Sequence, residues 1–231
     1  MQPQLRTTYR PTVEASREAR AEFLLKTYAH VFAALSAFAL IEVALFKTGA
    51  AESLLEAFSG GSWLVVMVLF MLTGWLCTFT AHRVESKALQ YLALGAYVAI
   101  EAVIFVPLLF MADDHAPGTI SSAAYVTLAG FAGLTGVAYF TRMDFSFLRG
   151  VLIWAGVCAL IAVLAGWIFG FELGTWFSVA MVALAGASIL YNTSNVMLHY
   201  PEDRYVGAAL QLFGSVALMF WYVLRLMNSR R

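Results

Sequence analysis

Seven stretches of this chain are each about 20 residues long and almost wholly apolar, the length one helix needs to cross the hydrocarbon core of a bilayer. They are Leu24–Phe46, Trp63–Ala81, Ala88–Met111, Ser121–Phe140, Phe147–Phe169, Trp176–His199 and Tyr205–Met227. Hydrocarbon offers no partner for a backbone N–H or C=O, so such a segment must close its own hydrogen bonds as an α-helix. Connections between the runs are short, except for Lys47–Ser62 and the turn-rich, acidic segment Ala112–Ile120. The expected fold is all-α: a polytopic bundle of seven transmembrane helices over residues 24–227, after a polar arm at 1–23 and before a short basic tail at 228–231.

Charge content agrees with that reading. Of 231 residues 61% are hydrophobic and only 12% are charged, about half the charged share of a soluble domain. A formal net charge of zero excludes the basic footprint of a nucleic-acid binder. Cys77 and Cys158 both fall inside apolar runs, where a thiol acts as a small core filler. The sequence holds no Cys/His cluster with metal-ligand spacing, no Gly-rich phosphate loop and no nucleophile–base arrangement. No cofactor, metal or enzymatic activity is therefore expected. The first 22 residues lack an apolar core with a small-residue cleavage site, so no cleaved signal peptide is expected either.

Orientation follows from the placement of Lys and Arg. With the N-terminus inside, the cytoplasmic side carries ten: Arg6, Arg10, Arg17, Arg20, Lys26, Arg83, Lys87, Arg142, Arg149 and Arg204. The far side carries four, Lys47, Arg225, Arg230 and Arg231. In the arm, VEASREARAEF spaces Glu14, Arg17, Glu18, Arg20 and Glu22 for i, i+3 and i, i+4 pairs. This predicts a solvated helix leading into the first span, with a docking site for a cytoplasmic partner as the alternative.

A few polar residues inside the runs need a reason. Glu101 lies about 20 Å along its span from the cytoplasmic end, at 1.5 Å per residue. It is either a neutral, hydrogen-bonded structural group or a titrating group on an ion or proton path. Pro107, six residues on, removes a backbone donor nearby. Glu42, Lys26 and His30 sit near the ends of the first run, where side chains snorkel to the interface. His199 and Tyr200, just before Pro201, are expected at the interface as well. Gly130, Gly133 and Gly136 give the fourth run a small-residue surface for close helix packing. Trp63, Trp176 and Tyr205 stand at run ends, where aromatic belts form.

The most specific stretch is the last hairpin, ILYNTSNVMLHYPEDRY followed by VGAALQLFGSVALMFWYVLRLM. Asn192, Thr193, Ser194 and Asn195 form a polar cluster at the end of the sixth run. By the helical rise Asn192 lies about 10 Å, and Ser215 in the seventh run about 15 Å, from the same side, with Glu101 about one turn above Ser215. Two antiparallel neighbours joined by a tight hairpin can place Asn192 and Ser215 side by side.

This hairpin resembles the last two helices of the Bax-inhibitor family, also called the transmembrane Bax inhibitor motif family. FLLKTYAHVFAALSAFALIE in the first run, VPLLF in the third and MDFSFLRGVLIWA entering the fifth extend the resemblance over nearly the whole chain. It implies a seven-helix bundle whose last helix is surrounded by the other six. Calcium-leaking members carry an aspartate in each of the last two helices, a pH-sensing pair that gates a cation path. The matching positions here are Asn192 and Ser215. An amide and a hydroxyl can hydrogen-bond each other but do not titrate near neutral pH.

The TSN sequence at 193–195 with Ser215 is similar to a bacterial branch of inner-membrane proteins that restrain a membrane-anchored, ATP-dependent protease and its scaffold. The resemblance thus implies a multi-pass protein of a bacterial inner membrane and a stress-related regulator with a protease or scaffold as partner. The alternative is a calcium, cation or proton leak through the bundle. The ion-path or polar-core candidates are Glu101, Asn192, Ser194, Asn195 and Ser215.

Overall fold

A computed structural model describes residues 16–59, 71, 74–75, 77–79, 86–115 and 118–229. Residues 1–15 of the arm, most of the Trp63–Ala81 run with Trp63 itself, Arg83, and residues 230–231 of the tail lie outside the described residues. Of that second run, Met71, Gly74, Trp75, Cys77, Thr78 and Phe79 are described as helical.

The apolar runs fold into α1 (Arg17–Thr48), α3 (Lys87–His115), α4 (Thr119–Thr141), α5 (Leu148–Phe169), α6 (Thr175–Leu198) and α7 (Tyr205–Asn228). These six, among the described residues, are long and apolar enough to cross a membrane, so the chain is a polytopic helical membrane protein. A further helix, α2 (Ala50–Ser59), is too short to span. It fills the Lys47–Ser62 connection, which the apolar-run reading takes as a loop. Leu54, Leu55 and Phe58 alternate there with Glu52 and Glu56 at helical spacing.

Local chemistry sets the helix ends. Ser16 caps α1, its hydroxyl accepting the Ala19 N–H at 3.2 Å. The helix then runs unbroken from Arg17, so the charged turn of the arm and the first span are one rod. Gly49 ends it with φ +75°, a conformation glycine adopts without strain, and α2 begins at the next residue. Pro107 sits within α3, whose helix continues to His115.

The last helix lies among the others. α7 packs on α1, α3, α4 and α6, whereas α5 packs chiefly on α6. Toward the C-terminal half of α7, Phe38 of α1 and Phe105 of α3 meet Phe220 and Trp221, with Phe105 stacked on Phe220 at 5.5 Å and edge-on to Trp221 at 5.0 Å. Such pairs hold best offset or edge-to-face. Of the three α4 glycines, only Gly130 closes on another helix, a Cβ there falling 3.3 Å from the Met219 sulfur of α7. Gly133 has open space before it and Gly136 meets only Phe140 of its own turn. The small-residue surface therefore serves close packing at one position, because α4 turns the other two away from α7.

At the N-terminal end of α7, α1, α3 and α7 meet around Tyr205. The His30 ring donates from Nδ1 to the Lys26 carbonyl (2.7 Å), which leaves Nε2 to accept from the Tyr91 hydroxyl (3.0 Å). Tyr91 and Tyr205 bring their hydroxyls within 3.3 Å. The Lys87 ammonium stands 4.2 Å from the Tyr205 ring centre and donates to the Asp203 carbonyl. Lys26 pairs with Glu22 at 2.6 Å and lies 5.6 Å from the Tyr205 ring centre. His30 turns into this cluster as well, because two hydrogen-bond partners are within reach.

Candidate functional site

Ser215 anchors the polar centre of the molecule. Its position on α7 faces α6, and its hydroxyl donates to the Gln211 carbonyl one turn back at 3.1 Å. With that proton committed, the oxygen is free to accept. The Asn192 amide nitrogen donates to it at 2.7 Å and the Ser188 hydroxyl lies 2.9 Å away. Asn192 also reaches Ser188, four residues earlier on its own helix, at 3.3 Å. Asn192 and Ser215 are buried, so each bond is made without competing water.

Ser188 is the member that the sequence reading missed. Its signal is present, an i, i+4 partner to Asn192 on one helix face, but a lone serine in an apolar run stands out only once the facing helix is known. By the helical rise, Ser188 and Ser215 each lie about 15 Å from the ends of their helices that the hairpin joins, and Asn192 lies one turn nearer the hairpin. Just past the end of α6, Tyr200 is buried, and its hydroxyl donates to the Gln211 side chain at 2.9 Å. The hairpin end of the α6–α7 pair is thereby tied to the residue whose carbonyl holds Ser215.

The structure does not bring the other candidates into this layer. Ser194 turns to the α4–α5 connection, donating to the Met143 carbonyl (3.0 Å) and accepting the Phe145 N–H (3.1 Å). The same loop is braced by Asp144, which accepts the Ser146 N–H at 2.9 Å and faces His199 at 3.5 Å. Asn195 takes part through its backbone, its carbonyl receiving the N–H groups of His199 (2.9 Å) and Tyr200 (3.1 Å) to close α6.

Glu101 is buried on α3, and the side chain it engages is Tyr97, one turn earlier. The Tyr97 hydroxyl in turn presses on α7 at Gly214, where it would stand only 3.0 Å from a Cβ. Gly214 precedes Ser215, so Glu101 approaches the triad through Tyr97 and backbone, with no hydrogen bond to Asn192 or Ser215 among the described contacts.

Glu42 departs from expectation most. It does not snorkel: it is 7% exposed, and neither carboxyl oxygen has a hydrogen-bond partner among the described residues. On its face of α1 the side chain points between helices instead of along the axis to the interface. Of the two cysteines, Cys77 is buried and Cys158 faces outward from α5, both as free thiols.

Chemically, the centre is a neutral cluster in which one amide and two hydroxyls satisfy one another across α6 and α7. It can lock two helices together. It carries no group that changes charge near neutral pH.

Comparison with known proteins agrees with this architecture. A protein of Pseudomonas aeruginosa of uncharacterized function is 33% identical over 122 residues, a match covering 51% of this chain and about half, 53%, of that protein. The family described as "Inhibitor of apoptosis-promoting Bax1" matches residues 20–231. With nearly the whole chain matched, the protein belongs to the Bax-inhibitor family.

Proposed function

We propose that this protein is a non-conducting membrane regulator, acting by binding and not by catalysis, that restrains a membrane-anchored protease or its scaffold. In this reading the chain crosses a bacterial inner membrane seven times with its N-terminus in the cytoplasm. The second crossing is supplied by the Trp63–Ala81 run.

One observation carries it. Where a titrating pair would gate a cation path, Asn192 donates to Ser215 at 2.7 Å and Ser188 closes the set. A hydrogen-bonded amide and hydroxyls offer a cation little charge stabilisation and give pH no handle. What the protein then presents to other molecules is its helix faces and charged inner surface.

Two measurements together test the reading. The protein is purified from native membranes in mild detergent with its partners, and calcium and proton flux is measured in liposomes. Recovery of a protease or scaffold with flux no higher than in empty vesicles is the expected result. Flux without any such partner overturns the proposal.

A second reading, a cation or proton leak, keeps one point in its favour: Glu101 is a buried carboxyl beside the polar layer, touching it through Tyr97 and Gly214. In that case Glu101→Gln lowers flux between pH of about 5 and 8, the range in which a neutral-pH gate would operate. An unchanged flux removes Glu101 from the path.

A further inference from the structure

Between α1 and α4 the bundle opens sideways into a groove of about 290 Å³, floored by Phe213, Val216 and Phe220 of α7. That is the small end of the range for ligand sites, about 300–1,000 Å³. Its surface is almost wholly apolar, and Glu42 and Thr127 face it from opposite walls. They are 7% and 2% exposed. Both Glu42 oxygens and the Thr127 hydroxyl oxygen lack a hydrogen-bond partner among the described residues. Leaving such groups unpaired in apolar surroundings costs several kcal/mol by transfer measurements, of order 2–7 for an uncharged group and more for a charged one. Asn192 and Ser215, also buried, find partners within the chain, whereas a few other threonine hydroxyls, such as that of Thr27, have none among the described residues.

We propose that this groove binds a single-chain amphiphile bearing a primary ammonium group, entering laterally from the bilayer. The chemistry of the unpaired atoms selects that class. Three unpaired acceptor oxygens belong to side chains that line one apolar groove, and a primary ammonium carries three N–H donors. A bond from an ammonium to a carboxylate is charge-assisted and among the stronger hydrogen bonds. The apolar floor takes the alkyl chain. A plain acyl chain would fill the groove but leave all three oxygens unpaired. A two-chain phospholipid exceeds the volume, and the groove offers no cationic side chain for its phosphate. Calcium needs six to eight oxygen ligands, and the lining side chains provide three. The mouth is walled by Val43 and Leu128, which are 50% and 47% exposed, so the chain enters from the lipid side. Glu42 lies six residues before the end of α1, about 9 Å below it, a depth an ammonium on a flexible chain reaches from the outer interface.

Native mass spectrometry of the full-length protein in mild detergent tests this with dodecylamine, using dodecanol and dodecanoate as matched probes. The expected result is one saturable dodecylamine per chain, with dodecanol and dodecanoate at least about tenfold weaker. Glu42→Gln should weaken dodecylamine by about tenfold or more while leaving dodecanol unchanged. Leu128→Trp, which narrows the mouth without touching either polar group, should lower the affinity for dodecylamine and dodecanol alike. It also serves as the test if Glu42→Gln does not fold. Equal binding of amine and alcohol, unsaturable uptake, or dodecylamine binding indifferent to both substitutions overturns the proposal.

Discussion

α5 and α7 are nearly the same length, and α5 is the more apolar, yet they occupy opposite environments. One α5 residue, Gly166, is buried, against fourteen of α7. In water the more apolar helix would be the core. In a bilayer the lipid is as apolar as leucine, so hydropathy marks a helix that faces lipid. The central helix is marked instead by small and polar residues that let neighbours approach and bond. α7 carries Gly207, Ala208 and Ala209 near its N-terminal end, Ser215 at its middle and Phe220 with Trp221 in its C-terminal half. α5 shows Ile153, Trp154, Ile161 and Phe169 outward. Burial in this molecule follows what a helix can pair with.

The largest expected effects test that contrast directly. Leu212→Ala removes a fully buried α7 side chain and should cost about 2–4 kcal/mol, read as a fall in thermal midpoint of the purified protein. Ile161→Ala on α5, 59% exposed, should stay within about 0.5 kcal/mol. Similar losses at both sites would mean that α5 is covered by something other than lipid. Next in size is Ser215→Ala, which takes the shared acceptor from Asn192 and Ser188 and should cost about 1–2 kcal/mol. Ser188→Ala leaves the Asn192–Ser215 bond intact and should cost about half as much. If the two serines were equivalent, Ser215 would not be the hub.

Ser194→Ala probes the edge of α6. It strands the Met143 carbonyl and the Phe145 N–H, so the Phe145 amide should exchange with solvent about fivefold faster, as roughly 1 kcal/mol of local stability is lost. Exchange at Ser215, in the interior of α7, should not change.

Much of this was legible in the sequence. Six of the seven apolar runs are described as helices that can span, and depths of about 10 and 15 Å for Asn192 and Ser215 on two antiparallel neighbours already allowed the pair to lie side by side. The missing pieces share a physical cause. Ser188 joins the cluster, and Ser194 leaves it for a loop backbone, because of how α6 is rotated against its neighbours, and periodicity along a single helix does not fix that rotation. Glu42 reads as an interfacial residue by its distance from the helix end. Whether it reaches the interface or turns into a groove depends on the gap between α1 and α4, a property of two helices far apart in sequence. α2 was open to reading, since Leu54, Leu55 and Phe58 keep helical spacing, but it falls below spanning length.

The smallest effects give the sharpest form of the comparison, because one substitution should change sign between the two helices. Gly156 lies exposed on α5, and a Cβ added there would meet nothing within 4 Å. Alanine there removes the entropy cost of a helical glycine, a gain of about 0.5 kcal/mol. Gly214 on α7 gains the same term, but its new Cβ would stand 3.0 Å from the Tyr97 hydroxyl and 3.4 Å from its ring edge. Tyr97 is held on its other side by the edge of Phe213, at 5.9 Å between ring centres, and its hydroxyl serves Glu101. It cannot retreat without loosening one or the other, and overpacking by a single methyl here costs about 1–1.5 kcal/mol, the low end of the usual range. Gly214→Ala should therefore be a net loss of about 0.5–1 kcal/mol in thermal stability, where Gly156→Ala is a small gain. A gain at both positions would show that Tyr97 moves freely. Glu101 would then owe its place to α3 alone, and the contact that brings it toward Ser215 would have no energetic weight.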